Sequence, residues 1–289
     1  MKSVINGRRL VKNANHRRKK MIAFGWYGGK YSHLEFILPN LPNDALHFCD
    51  VFGGSAAVLI NREPASVETY NDIDSELVNF FDTLRNHGEE LIKAISLTPF
   101  SREELVLACT HDPELSDFER ARRFYVRARQ TRTGLAQTSS EGRWAHCVLT
   151  SRAGMAGAVS RWLGAVDGLP EIVQRLLRVQ IENAPALELI ERYDTKETLF
   201  YLDPPYVHDS RSDTKAYGFE MSDMDHFELA SVLNQIQGRA VISGYRSKLY
   251  DKLFAHWNRI DAPVKICNSS KGERQESLWI NFNPIIQHA

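Results

Sequence analysis

Phe48 to Leu59, FCDVFGGSAAVL, reads as a short apolar strand that ends in a carboxylate, turns on two glycines and continues into a helical pattern. Adjacent glycines let a backbone turn sharply and approach a ligand closely. Ser55 is placed to cap the following helix, whose free N–H groups would face the same spot. Such a turn, framed by Asp50, Phe52, Gly53, Gly54 and Ser55, suits a nucleoside or an amino-acid carboxylate. It is not the dinucleotide fingerprint G-x-G-x-x-G, because the glycines are adjacent and no third one follows.

Outward from this stretch, strand patterns fall at Leu46–Val51, Val67–Tyr70, Arg178–Ile181, Leu199–Leu202, Ala240–Ser243, Val264–Cys267 and Leu278–Phe282. Helical patterns lie after Ser55 and across Ser75–Leu91, Asp225–Gln237 and Ser247–Phe254. Alternation of this kind implies an α/β fold with a largely parallel sheet covered on both faces. From about Arg85 to Pro170 the alternation stops, and helical and loop signals prevail, including the Gly- and Ser-containing Thr133–Gly142. The expected organisation is a basic tail (1–20), a sheet domain formed by 21–85 and 171–289, and an inserted helical subdomain at 86–170.

About twenty residues beyond the glycine turn, YNDID (Tyr70–Asp74) puts Asp72, with Ile73 beside it, just past the second strand. There an acidic residue can take both hydroxyls of a ribose. Upstream, FGWYGGKYSHL (Phe24–Leu34) contains Gly-Gly-Lys but not a Walker phosphate loop, which needs glycine at Phe24 and Ser or Thr at Tyr31. What remains is a tight turn presenting Trp26 and the Lys30 ammonium, suited to a carboxylate and an apolar face. Downstream, YLDPPY (Tyr201–Tyr206) ends an apolar strand in a carboxylate, two prolines and an exposed-looking aromatic. The prolines cannot continue a ladder and hold one rigid extended shape. Ligands of open α/β sheets bind beyond the carboxyl ends of the strands, where Asp203–Tyr206 would sit.

Composition bounds the function. A chain of 289 residues, 43% hydrophobic and 25% charged, can bury a full core. No apolar span is long enough for a membrane helix and the basic N-terminus has no apolar stretch behind it, so a cytoplasmic protein without membrane contact is expected. Cys49, Cys109, Cys147 and Cys267 form no C-x-x-C pair and the histidines show no ligand spacing, so no disulfide framework and no metal are expected. The net charge is zero but unevenly placed. Residues 1–30 carry bases and no acid, and the charged residues of Arg120–Arg161 are all arginine apart from Glu141, interleaved with Phe124, Tyr125 and Trp144. One face meeting a polyanion follows, with Arg122, Arg123, Arg127, Arg129, Arg132, Arg143 and Arg152 as candidate contacts.

Taken together and in this order, Trp26-Tyr-Gly-Gly-Lys30, Asp50-Val-Phe-Gly-Gly-Ser55 and Asp203-Pro-Pro-Tyr206 resemble the Dam-like DNA adenine methyltransferases of α-type motif order. The resemblance runs from about Met21 to Asn283. SDMDHFELASVL (Ser222–Leu233), GRAVISGYRSKLYDKLF (Gly238–Phe254) and GERQESLWINF (Gly272–Phe282) are similar to later elements of that family. It implies a Rossmann-like mixed methyltransferase sheet with an inserted helical target-recognition subdomain, S-adenosyl-L-methionine as cofactor, and double-stranded DNA as partner. It also implies catalytic roles for Asp203, Pro204, Pro205 and Tyr206. The Asp203 carboxylate and Pro204 carbonyl would accept the two N–H bonds of the target amine, and Tyr206 would stack on a flipped-out base. Trp26, Lys30, Asp50, Phe52–Ser55, Asp72, Ile73, Asn183 and Asp203 would contact the cofactor. One departure stands out: the family often has Asp-Phe near the cofactor adenine, where this chain has Asn183-Ala184, so an amide acceptor remains but the aromatic wall is missing. Competing readings keep the fold and change the acceptor to a cytosine amine, RNA or a protein amide, or drop catalysis for DNA binding alone. Asp at position 203 leans toward adenine.

Overall fold

The computed structural model of the protein describes residues 20–132, 136, 140–207, 219–263, 265–266 and 273–284. The basic tail except Lys20, most of Thr133–Gly142, and Val264 and Cys267 of the expected sixth strand lie outside the described residues.

In chain order the elements are α1 (Leu34–Ile37), β1 (His47–Asp50), α2 (Ala57–Asn61), β2 (Val67–Asn71), α3 (Ser75–Asn86), α4 (Gly88–Leu97), α5 (Arg102–Cys109) and α6 (Asp117–Gln130). The hairpin strands β3 (Ser151–Arg152) and β4 (Met155–Ala156) follow, then α7 (Gly157–Val166), α8 (Leu169–Leu176), β5 (Gln180–Glu182), α9 (Ala186–Tyr193) and β6 (Thr198–Leu202). The chain continues through α10 (Asp223–Leu233), β7 (Arg239–Tyr245), α11 (Lys248–Leu253), β8 (Asn258–Asp261), β9 (Lys265–Ile266), β10 (Glu273–Arg274) and β11 (Glu276–Ile280). Side-chain oxygens of Asp74, Ser101, Ser116, Ser222 and Ser247 cap α3, α5, α6, α10 and α11 by accepting N–H bonds from the first turn.

Seven strands form one sheet in the order β5-β2-β1-β6-β7-β11-β8. The first five are mutually parallel, and β11 runs antiparallel to both of its neighbours. The chain builds outward from β1 through β2 to β5, then returns to lay β6 on the other side of β1. The carboxyl ends of β1 and β6 therefore flank the point where strand order reverses, the usual ligand crevice of such sheets. All of β6 is buried, and its side chains alternate between faces: Leu199 and Tyr201 join one hydrophobic cluster, Phe200 and Leu202 the other.

Several sequence expectations need correction, although the sheet is mixed and largely parallel as expected. Its edge strand β8 was not anticipated, because Asn-Arg-Ile-Asp is short and polar. Lys265–Ile266 pairs only with β10, outside the main sheet. The single helix expected at Ser75–Leu91 is two, broken at His87 (φ −130°, ψ 39°), with Gly88 so close to Val173 that a Cβ would lie 3.0 Å from it. Within the inserted region the β3–β4 hairpin turns on Ala153 (φ 51°) and Gly154 (φ 76°), the paired positive angles of a tight two-residue turn.

The inserted helices have no separate core. Phe124 of α6 packs 5.3 Å from Phe24 and 5.5 Å from Phe80 of α3, and Tyr125 stacks on Phe80 at 5.6 Å. Trp162 of α7 extends the same cluster through Tyr125 at 5.5 Å. Beneath the sheet edge, the fully buried Glu68 carboxylate takes both prongs of Arg175 at 2.5 and 2.7 Å, with Arg62 at 3.6 Å. Arg175 also donates to Leu59 O at 2.8 Å, so β2, α2 and α8 are tied at one point.

Candidate active site

The turn after β1 is held open by its neighbours. Gly53 donates its N–H to Asn71 O at 2.7 Å, and a Cβ on it would lie 2.2 Å from the Tyr70 ring, so only glycine fits. Gly54 has φ 51°, donates to Asp72 Oδ2 at 2.9 Å, and accepts from the Tyr70 hydroxyl at 2.8 Å. The Trp26 indole covers Gly54, where a Cβ would come within 3.1 Å of it. Ser55 does not cap α2. The cap position is Ala56 in a left-handed conformation (φ 55°) and no side chain caps the helix; the tight turn leaves Ser55 buried, with its Oγ toward Gly29. A non-glycine residue held at positive φ is a local strain of the kind found at functional sites.

Asp72 does not cap α3 either; that role belongs to Asp74. Its other oxygen accepts the Asp74 N–H at 2.9 Å. Burial pushes its pKa up to about 6 against the pull of these backbone donors. Asp50 is fully buried and its pKa is raised well above the usual value by burial, then by the charges of Asp203 and Asp72. Its Oδ1 has no hydrogen-bond partner among the described residues.

Asp203 follows β6 directly. Its Oδ1 lies 2.7 Å from Lys30 Nζ and accepts the Ser243 hydroxyl at 3.0 Å. No hydrogen bond to Oδ2 is made by the described residues. Burial pushes the Asp203 pKa up to about 6 even though Lys30 pulls the other way. Burial alone lowers the pKa of the Lys30 ammonium, but the charges of Asp203 and Glu276 outweigh it and hold the amine above its usual value. Lys30 also donates to Gly28 O at 2.9 Å. Tyr206 is buried, 6% exposed, and not an exposed platform in this structure. Its hydroxyl donates to Glu276 Oε1 at 2.7 Å, which draws the ring inward.

A cavity of about 390 Å³ brings together Trp26, Lys30, Asp50, Phe52, Gly53, Gly54, Ser55, Asp72, Ile73, Asp203 and Pro205. Asn183, Pro204 and Tyr206 do not line it; Asn183 instead donates to Asp72 O at 2.8 Å. Sequence reasoning missed Tyr201 and the Pro185–Leu187 stretch on its wall, and Ser243 and Glu276 behind Asp203. A serine in the apolar run of β7 and a glutamate opening β11 were the available signals.

The arginine block divides. Arg122 pairs with Glu119 at 2.8 Å and Glu104 at 3.0 Å, Arg123 with Glu119 at 2.9 Å, and Arg127 donates to Ala108 O at 2.8 Å. Arg129 lies 6.0 Å from the Tyr125 ring centroid. Arg122, Arg123 (which also donates to Leu107 O at 3.0 Å) and Arg127 fasten α6 to its neighbours, whereas the contact of Arg129 lies within α6. Arg132, Arg143 and Arg152 are exposed, as are Val148 (84%) and Leu149 (93%). Among the described residues no group of three or more His, Cys, Asp or Glu could hold a metal, and no helix is long and apolar enough to cross a membrane.

Residues 26–266 match the family described as D12 class N6 adenine-specific DNA methyltransferase. The chain is also similar to the Type II methyltransferase M1.LlaDCHI of Lactococcus lactis subsp. cremoris, 24% identical over 287 residues, covering 89% of this chain and 94% of that one.

Proposed function

Since the chain belongs to the D12 class of N6 adenine-specific DNA methyltransferases, we propose that Asp203, Pro204, Pro205 and Tyr206 form its catalytic turn and that the adjoining cavity holds S-adenosylmethionine. The activity of the class is methylation of adenine in DNA, and methyltransferases of this kind use S-adenosylmethionine in general. The observation that carries the reading is the half-occupied Asp203 carboxylate, with Oδ1 held by Lys30 and Ser243 on the wall of the glycine-turn cavity.

The residues present fit that cofactor. The glycine cradle is one that a Cβ would fill, and the buried Asp50 Oδ1 is a polar atom awaiting a donor. We assign Trp26, Lys30 and Asp50 to the methionine end, Phe52–Ser55 to the floor, and Asp72 with Ile73 to the ribose. Asn183, which lies off the cavity wall, positions Asp72 through its backbone contact. S-adenosylmethionine supplies an electrophilic methyl group on a sulfonium.

The protein's task is to make a poor nucleophile reactive, because the lone pair of an aryl amine is delocalised into the ring. Asp203 Oδ2 and the Pro204 carbonyl, lying beyond the end of the β6 ladder, accept the two N–H bonds and direct the lone pair out of the ring plane. A base within duplex DNA cannot reach this turn, so the target nucleotide is flipped out. With Tyr206 buried in this structure, stacking on the base requires the ring face to open toward the cavity when DNA binds. Purified protein incubated with methyl-labelled S-adenosylmethionine and duplex DNA, then digested to nucleosides, is expected to place the label in N6-methyladenine. Label in a methylated cytosine, in RNA or in protein would overturn this assignment.

Residues 86–170 are assigned to target recognition. Within them the exposed Arg132, Arg143 and Arg152 take phosphates or base edges, and Val148 with Leu149 supply an apolar wedge. Arg122, Arg123 and Arg127 instead hold α6 against its neighbours. Arg152→Ala should lower the slope of log affinity against log salt by about 0.9. Arg122→Ala should leave that slope unchanged and lower the melting temperature. Equal salt slopes in wild type and Arg152→Ala would remove the hairpin from the interface. The similarity to a Type II methyltransferase favours a role in a restriction–modification system.

A further inference from the structure

Glu276 opens β11, opposite Tyr245 of β7 in the antiparallel register, and is 3% exposed. A charge buried to that degree carries a desolvation cost that persists only where partners offset it. Here it has two. Oε1 accepts the Tyr206 hydroxyl at 2.7 Å and lies 3.7 Å from Lys30 Nζ. A glutamine would serve the tyrosine hydroxyl with less desolvation, so the carboxylate answers to the lysine as well.

The Tyr206 ring is thereby fixed on three sides. Its hydroxyl is bound to Glu276, its ring meets Tyr245 edge-on at 4.6 Å, and Lys30 Nζ sits 4.7 Å from the ring centroid. Tyr206 is the residue that follows the two prolines. Each proline locks its φ, so a fixed Tyr206 at one end and a fixed β6 at the other leave the intervening Asp203 and Pro204 little freedom. The ammonium, shared between Glu276 and Asp203 Oδ1, is kept from closing over both Asp203 oxygens.

We propose that Glu276 is a positioning residue for methyl transfer: acting through Tyr206 and Lys30, it sets the Pro204 carbonyl and keeps Asp203 Oδ2 open to the target amine. This rests on the reading of Asp203–Tyr206 as the catalytic turn. The experiment compares Glu276→Ala, Glu276→Gln, Tyr206→Phe and the Tyr206→Phe/Glu276→Ala double variant. It measures single-turnover rate at saturating S-adenosylmethionine and duplex DNA, and the dissociation constant of S-adenosylmethionine alone.

Misplacement of a reacting group by about an ångström costs about 100-fold, and losses of that order are expected for Glu276→Ala and Tyr206→Phe. The double variant should be about as slow as the slower single one, because Tyr206→Phe removes a contact that Glu276→Ala already removes together with that to Lys30. Glu276→Gln, which keeps an acceptor for the hydroxyl, should recover about tenfold of the loss. S-adenosylmethionine affinity should stay within about threefold throughout. Multiplying losses in the double variant, a Glu276→Gln rate equal to that of Glu276→Ala, or cofactor affinity falling in step with rate would each overturn the proposal. Should Glu276→Ala not fold, the other two single variants decide: Tyr206→Phe much slower than Glu276→Gln supports it, and Tyr206→Phe at the wild-type rate overturns it. A wild-type protein that transfers no methyl group to DNA would instead remove the catalytic-turn reading beneath it.

Discussion

Asp203→Asn is expected to lower the single-turnover rate of methyl transfer by about 10²–10³-fold, the scale of losing one well-placed electrostatic contact to a transition state. The amide keeps the size of the side chain and can still accept the Ser243 hydroxyl at Oδ1, but it brings no charge to the amine that becomes positive as the new bond forms. Asparagine is the better probe than alanine, because Lys30 sits 2.7 Å away and a cavity at that point would leave a buried ammonium with Glu276 as its remaining anion. Duplex DNA affinity should survive. The pH profile of the wild type offers an independent check. Only the ionised carboxylate brings a negative charge to the amine whose N–H it accepts, and its pKa is pushed up to about 6 by burial. The rate should therefore be flat above that value and fall about tenfold per pH unit below it. An Asp203→Asn protein with a rate within a few-fold of wild type would assign Asp203 a structural role alone.

Glu68→Ala should be the most destabilising single change outside the active site. The carboxylate has no exposed surface and is met by Arg175, Arg62 and, at 3.8 Å, the half-exposed Arg178. Its removal leaves the buried Arg175 and Arg62 guanidinium groups facing one another without a counterion, a loss of about 3–5 kcal/mol for breaking a buried pair on one side. The melting temperature should drop on the order of 10 °C. Arg178→Ala, at the solvent edge of the cluster, should change it little. A melting temperature for Glu68→Ala within a degree or two of wild type would show that water reaches the arginines and that the cluster is not the tie described.

The parts of the fold legible in the sequence are those fixed locally. β1, its glycine turn and β6 are short apolar runs bounded by Gly-Gly or Pro-Pro, so strand, turn and carboxylate can be placed from neighbouring residues alone. The cavity then gathers Trp26, Lys30, Asp50, Asp72 and Asp203, residues that the motif spacing had singled out. What the sequence conceals depends on partners far along the chain. Tyr206 looks exposed until Glu276, on a strand two places across the sheet, captures its hydroxyl. The arginines of α6 look like a solvent-facing basic stripe until Glu104 and Glu76, on other helices, take up Arg122 and Arg127. Ser55 has the composition of a cap, but the position falls to Ala56 because Trp26 and Asp72 fix the preceding glycines. A short polar strand such as β8 carries no periodic signal at all.

The packing of Phe124 against Phe24, Phe80 and, at 6.2 Å, Trp26 bears on how this enzyme can acquire new target sequences. The helix that supports the segment proposed for target recognition shares its aromatic wall with the turn that covers the proposed cofactor cavity. Transplanting 86–170 from another member of the class would bring a foreign helix against Phe24 and Trp26, so the segment is not an exchangeable cassette. The β3–β4 hairpin is different: every residue from Ser151 to Ala156 is exposed and none belongs to a hydrophobic core. On the proposed reading, substitutions can accumulate there without disturbing catalysis, which would make the hairpin the evolvable part of a recognition surface and the first place to randomise when altered sequence preference is sought.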